Sequence, residues 1–355
     1  MSDNRSFSGV IERVGSWLSA ALFIVLALAV IFTSAIKIHA TWLLPGAPTG
    51  WNRKQVSKIP SPGEKYSFAV LGDNKNSIKT FDILKESLDR EDILFSMDVG
   101  DLVFDGEEVK YRLFVNQILG LKAPMLTALG NHDVEAGGLE NYERVFGQRY
   151  YSFTLGDSYF IVLDDADGKA VDDTQMRWFE KELRKGEKYR HRFVFMHVPP
   201  FRGLRNMLMP MEEFLADRKD ADEMKRLCVR YVVDFVFGSH MHTFDYDLWP
   251  WGVNYVITGG GGAELWDVDR YRDMHHYIKV TVSKDRVNFD VKPVTSRWAK
   301  FVYMYLEEPW VYTYAYVANN YTWLILVLGA ALILAGGTFL ILRRKRKRTL
   351  LQKGE

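Results

Sequence analysis

The chain has 355 residues, 48% of them hydrophobic and 26% charged, with a formal net charge of +1. That balance offers no basic surface, so no nucleic-acid partner is expected, and a single cysteine excludes an intrachain disulfide framework or a thiolate zinc cluster. Roughly 280 residues lie between two very apolar stretches, enough for one large domain with its own core.

Residues 1–16, with Arg5 and Arg13, read as a cytoplasmic tail. Residues 17–36 carry no charge and match the ~20 residues a helix needs to span hydrocarbon. Thr33-Ser34-Ala35 would also serve as a signal-peptide cleavage site; the apolar core is long for that, and the segment is read as an anchor. Residues 37–65 contain Pro45, Gly46, Pro48, Gly50, Pro60, Pro62 and Gly63 and read as a linker.

A domain over 66–300 follows, in which strands and helices alternate. Residues 67–72 predict a strand that ends in Asp73, and Phe81, Leu84 and Leu88 share one face of a helix over 78–88. A strand over 93–99 ends in Gly100-Asp101. A helix over 108–121 precedes a strand over 124–129, which ends in Gly130-Asn131-His132-Asp133. Residues 150–165 predict a hairpin turning at Gly156-Asp157, and 172–185 a helix with Asp172 or Asp173 as cap. The run Phe193 to Met196 ends in His197, followed by a loop with Pro199, Pro200, Arg202, Gly203 and Arg205. A polar helical region extends to Val232, with Cys228 on its apolar face as a small hydrophobe. The run Phe235 to Phe237 leads into Gly238-Ser239-His240-Met241-His242, and further strands are expected over 254–258, 277–282 and 287–291.

Residues 301–321 form an aromatic juxtamembrane segment, with Tyr312, Tyr314, Tyr316 and Tyr321 before Trp323. Residues 322–342 are a second uncharged span, and 343–355 a basic tail opening Arg343-Arg344-Lys345-Arg346-Lys347-Arg348. Such a run holds its end in the cytoplasm. Two spans then put both termini there and the domain on the outer, periplasmic or lumenal, side of an integral membrane protein. The Asn-x-Ser/Thr sites are Asn4 and Asn320, neither suited to glycosylation of an outer domain; with no disulfides, this favours a bacterial inner membrane. The basic tail also suits anionic lipid headgroups, which makes membrane lipids a partner. No feature names a protein partner.

The expected architecture is α/β and layered: two packed mixed β-sheets flanked by helices, plus N- and C-terminal transmembrane helices. Asp, Asn and His hang off the ends of the apolar runs, where ligands bind in such sheets. Oxygen and nitrogen donors of this kind suit Mn, Fe, Zn or Mg. A shared carboxylate such as Asp101 can bridge two divalent ions. Gly72, Gly100, Gly130 and Gly238 lie beside these residues and relieve backbone crowding there. Isolated histidines (His39, His191, His275, His276) read as structural, and Gly259 to Gly262 as a tight loop beside the site.

In order, Gly100-Asp101, Gly130-Asn131-His132-Asp133, His197 and Gly238-Ser239-His240-Met241-His242 resemble the motifs of the calcineurin-like metallophosphoesterases. The resemblance runs from about 68 to 262. It implies a dinuclear site that hydrolyses a phosphomonoester or phosphodiester with metal-bound hydroxide. It also implies that Asp73, Asp101 and His242 hold one metal, and Asp101, Asn131, His197 and His240 the other. His132 would stabilise the phosphoryl group or protonate the leaving oxygen. Two departures stand out. The family's Asp-x-His reads Asp73-Asn74-Lys75, and a protonated lysine cannot ligate; Asn74, Asn76 or water would complete the shell, and Lys75 would meet phosphate. The aspartate expected to orient His132 is displaced to Asp105, with Asp133 as the alternative. Arg202 and Arg205 are further candidates for an anionic substrate. A catalytically weak metal-binding scaffold on the same fold is the competing expectation, with Lys75 as its support.

Overall fold

The computed structural model describes residues 3–169, 171–201, 217–266, 273–294 and 299–352. The chain divides into one unit of Met1–Leu44 with Tyr312–Glu355 and another of Pro45–Val311. In the first, helix α1 (Asp3–Ile38) runs into a π-helical turn, His39–Leu43. A C-terminal helix, Glu308–Gln352, supplies the rest. Lys37 Nζ donates to the Ala318 carbonyl at 3.0 Å, and His39 Nδ1 meets the Tyr314 hydroxyl at 2.7 Å. The windows Val14–Leu43 and Ala299–Arg348 are long and apolar enough to cross a membrane.

In the second unit, helix α2 (Trp51–Val56) precedes strand β1 (Lys65–Leu71). Helix α3 (Lys79–Leu88), strand β2 (Ser96–Asp98), helix α4 (Glu108–Ile118) and strand β3 (Met125–Thr127) follow. A short helix α5 (Asn131–Val134) and helix α6 (Gly138–Val145) lead to the hairpin β4 (Tyr151–Leu155) and β5 (Ser158–Val162). Then come α7 (Asp173–Gly186), β6 (His191–Phe195), α8 (Arg218–Arg230) and β7 (Phe235–Gly238). Strands β8 (Phe244–Trp249), β9 (Val253–Thr258), β10 (His276–Ser283) and β11 (Arg286–Pro293) complete the sheets, and helix α9 (Ala299–Val302) follows.

Both sheets are mixed. The five-stranded sheet has the order β11-β10-β1-β2-β3, with β1, β2 and β3 parallel and β10 and β11 antiparallel additions. The six-stranded sheet has the order β4-β5-β6-β7-β9-β8, parallel from β5 through β9. Phe68, Phe95, Phe160, Phe193, Phe195 and Phe237 are buried in one apolar cluster between the sheets. Their rings stack or meet edge to face, as Phe160 and Phe193 do at 5.0 Å between centroids. Phe81, Leu84, Phe114 and Tyr142 of α3, α4 and α6 pack on the first sheet, and Phe179, Met224 and Leu227 of α7 and α8 on the second. The parallel strands, covered on both faces, are apolar runs for that reason.

Residues 37–65 depart from the linker expectation. Within them, α2 packs against the edge strand β3. Trp51 Nε1 donates to the Met125 carbonyl at 2.8 Å, while Asn52 bonds both the N–H and the carbonyl of Thr127. An edge strand leaves backbone groups open, and the Asn52 amide satisfies them. Residues 301–321 also divide: α9, a π-helical turn Tyr303–Glu307 and the chain to Val311 belong with the sheets.

Candidate metal centre

The polar residues at the strand ends converge. Asp73 follows β1, Asp101 lies three residues past β2, and Asn131 opens α5 after β3. His197 follows β6, and His240 and His242 follow β7. Asp73, Asp101 and His240 all take left-handed backbone, with φ of 62°, 57° and 66°. Such conformations are costly for side chains other than glycine and are kept where the surroundings hold them. The glycines make room for this turn: a Cβ on Gly130 would strike the Asp101 backbone, and Gly100, with φ +102°, would press one onto His197 Nδ1. Gly238 differs from expectation, since an added Cβ there meets only ordinary contacts at 3.8 Å.

Around His197, acceptors face acceptors. Its Nδ1 donates to the Val99 carbonyl at 3.0 Å, so Nε2 presents a lone pair. That Nε2 lies 3.0 Å from Asn131 Oδ1 and 3.3 Å from Asp101 Oδ1. His240 Nδ1 adds to the group, 2.8 Å from Asn131 Oδ1 and 3.3 Å from His197 Nε2. Burial holds the His197 imidazole below its ordinary pKa, against the pull of Asp101 and Asp73, so a ring proton does not relieve the crowding. A divalent cation among these atoms would. His242 repeats the pattern: Nδ1 bonds the Glu264 carbonyl, and Nε2 stands 3.5 Å from Asp73 Oδ1. Asp73 Oδ1 and Asp101 Oδ2 are buried without a hydrogen-bond donor. Two ligand sets result, Asp101 with His197 and His240, and Asp73 with Asp101 and His242. Burial pushes the Asp73 and Asp101 carboxyls up, but His242, His197 and Lys75 hold Asp73 below the usual range, and His197, Lys75 and His132 hold Asp101 below it. Both donor sets, which have Asp101 in common, therefore suit divalent cations.

Lys75 takes the place of the absent imidazole: its ammonium lies 3.4 Å from Asp101 Oδ2. Asn74 beside it is fully buried, with no hydrogen-bond partner on its amide. Asn76, an expected ligand substitute, instead bonds the Lys110 carbonyl and the Phe104 amide. His132 is 30% exposed, its Nε2 3.9 Å from Asp101 Oδ2. The expectation that Asp105 or Asp133 orients it is corrected. Its Nδ1 bonds the Phe104 carbonyl at 2.9 Å, with Glu135 Oε1 at 3.5 Å. Asp105 pairs with the buried Lys110. Asp133 accepts the amides of Asp101, Leu102, Val103 and Gly130, which fixes the metal-site loops. Arg202 and Arg205 lie outside the described residues.

Other supporting groups were not foreseen. Ser239 Oγ donates to Asp73 Oδ2. Asp165 accepts the His197 amide at 2.9 Å, and burial pushes its carboxyl up to about 7. Asp98, fully buried behind the site, is pushed well above the carboxylate range by burial and then by Asp133 and Asp73. An acid inside the apolar run before Gly100 was the one available signal for it. The carbonyls of Val99, Phe104 and Glu264 carry no sequence signature at all.

The family model for calcineurin-like phosphoesterases matches residues 66–244, half of the chain. The chain belongs to that family. All the ligand candidates fall within the matched segment. This calcineurin-like chain is 30% identical over 176 residues to purple acid phosphatase 23 of Arabidopsis thaliana, across 42% of this chain and 36% of that one. It is 23% identical over 186 residues to a probable cyclic nucleotide phosphodiesterase of Xenorhabdus bovienii, across 47% of this chain and 70% of the other. It is 26% identical to the serine/threonine-protein phosphatase CPPED1 of Rattus norvegicus, across 49% and 57%. The chain thus spans little more than a third of the plant relative's length. The fold is similar to purple acid phosphatase PPD1 from yellow lupin seeds, with a TM-score of 0.54 at 17% identity over 66% of this chain and 52% of that one. It is also similar to a dimetal phosphatase from Danio rerio, with a TM-score of 0.50 at 12% identity over 64% and 96%.

Proposed function

We propose that the chain is a membrane-anchored phosphoesterase that uses two divalent cations, Mn, Fe, Zn or Mg, to hydrolyse a phosphomonoester or phosphodiester. The observation that carries this reading is the meeting of His197 Nε2, Asn131 Oδ1 and Asp101 Oδ1, acceptors within 3.3 Å of the histidine nitrogen. Asp101, Asn131, His197 and His240 would hold one cation, and Asp73, Asp101 and His242 the other. Once bound, such ions supply Lewis acidity and lower the pKa of a coordinated water. His132, with Nδ1 tied to the Phe104 carbonyl, presents Nε2 at the partly exposed mouth of the site. That nitrogen is placed to stabilise the phosphoryl group or give a proton to the leaving oxygen as the P–O bond breaks. Lys75, mostly buried beside Asp101, offers an ammonium to a phosphoryl oxygen. The two apolar helices and the basic run at 343–348 support anchoring with the domain on the non-cytoplasmic face, and anchoring favours a lipid-linked substrate.

A second reading, a metal-binding scaffold with little turnover, draws on the same Lys75. An ammonium beside Asp101 repels a cation at the Asp73 and His242 set. One experiment separates the two. The detergent-purified full chain is analysed for metal and assayed on p-nitrophenyl phosphate and bis-p-nitrophenyl phosphate with manganese. Turnover is expected to fall by about 100-fold or more in Asn131→Ala and His132→Ala. Bound metal with a wild-type rate no higher than Asn131→Ala would establish the scaffold.

A further inference from the structure

The residues leading into the C-terminal apolar helix are built into the wall of the site. Tyr303, 5% exposed, stacks on Phe104 with ring centroids 5.6 Å apart. Phe104 is the residue whose carbonyl holds His132 Nδ1. Ala263 and Val311 complete that apolar cluster, and the Ala263 amide donates to the Asp73 carbonyl at 2.9 Å. Glu307, 7% exposed, accepts the amides of Ile78 and Lys79 at 2.9 and 2.8 Å, and Ser77 Oγ lies 3.4 Å from it. Those amides are the open start of α3, whose own N-cap residue makes no side-chain cap. The loop that carries Asp73, Asn74 and Lys75 is thereby pinned from a point far along the chain. Lys300 pairs with Glu264 at 3.1 Å, and the Glu264 carbonyl accepts from His242 Nδ1. The Tyr303 and Lys300 contacts end on residues whose carbonyls bond His132 and His242, and the Glu307 contacts on a turn where the Ser77 amide donates to the Asn74 carbonyl at 2.9 Å. A buried carboxylate bonded to main-chain amides is a costly feature for a segment that only tethers.

We propose that residues 299–311 are a positioning segment of the site, an inference that rests on the phosphoesterase reading for its kinetic consequence. Tyr303 acts through Phe104 on His132. Glu307 acts through residues 77–79 on Asp73 and Lys75. Loosening the segment misplaces those groups without removing any of them.

The test uses the full chain in detergent with Tyr303→Ala, Tyr303→Phe and Glu307→Ala. The control is Leu248→Ala, a 58% exposed position on β8 outside the segment. Tyr303→Ala is expected to lower kcat about tenfold with little change in KM. Tyr303→Phe, which keeps the stacked ring, is expected to restore it. Glu307→Ala is expected to weaken manganese binding about tenfold, as loss of an outer partner does, and to speed amide exchange at Ile78 and Lys79. Leu248→Ala should change none of these. Manganese affinity and exchange are read whether or not the protein turns over. A wild type without turnover would therefore sink the phosphoesterase reading and leave the positioning role to be judged on those two measurements. Wild-type kcat, manganese affinity and exchange in both alanine variants would overturn the proposal. So would a Tyr303→Phe variant as impaired as Tyr303→Ala.

Discussion

At the scale of single residues, the ligand candidates were readable because their chemistry is unusual where it occurs. A histidine or aspartate at the end of an apolar run has few structural reasons to be there, and Asp73, Asp101, Asn131, His197, His240 and His242 were found that way. Their supports were not. The groups that turn His132, His197 and His242 are main-chain carbonyls, and any residue type supplies a carbonyl. Asp105 carries an expectation that rests on spacing, which cannot say which way a side chain points. It faces Lys110, whose side chain is 1% exposed. Asp105→Ala is therefore expected to cost about 2 kcal/mol of stability, by removing the nearer carboxylate from a buried ammonium that also pairs with Glu107 at 3.8 Å, while kcat stays within about twofold of wild type. Denaturation and steady-state kinetics on the same preparation check this. A large fall in kcat at unchanged stability would return Asp105 to a role beside His132.

At the scale of elements, segments with a clear apolar pattern are legible in the sequence and those without one are not. The spacing of Phe81, Leu84 and Leu88 marked α3, and the apolar run after the Gly156-Asp157 turn marked β5. Helix α2 was hidden among prolines and glycines, and its burial comes from the edge strand it caps. β8 was missed because only Asp245 and Trp249 of its residues are buried, which leaves no strong apolar run. The strands also determine how stability responds to pH. His276, at the start of β10, is fully buried and bonded to Thr258 and the Met274 carbonyl; burial lowers its pKa from 6.5 to about 4. The folded ring stays neutral while the unfolded one gains a proton. Its contribution is complete above pH 6.5 and is lost as pH falls from there toward 4. His191 slopes the other way. Its bond to Asp234 raises its pKa, so its contribution is full in acid and lost as pH rises past the folded value. Chemical denaturation should show about 2 kcal/mol less stability at pH 5 than at pH 7 from His276 alone. The gap should shrink by that amount in His276→Gln, and an undiminished gap would assign the loss to other groups.

At the scale of the whole molecule, two apolar helices bracket one sheet-bearing unit in sequence, and the basic run at 343–348 sets the expected orientation. In sealed right-side-out membranes, external protease is expected to cut the 45–311 unit, and a tag placed after Glu355 is expected to survive. Cleavage of the tag with protection of the domain would reverse the topology. β11 ends the order of its sheet, and Arg286, Asn288 and Asp290 alternate on its exposed face ahead of Pro293. Charges of both signs and a terminal proline make poor templates for strand addition. That edge is thus guarded against zipping onto a strand of another copy, and a long exposed strand need not become a seed for aggregation.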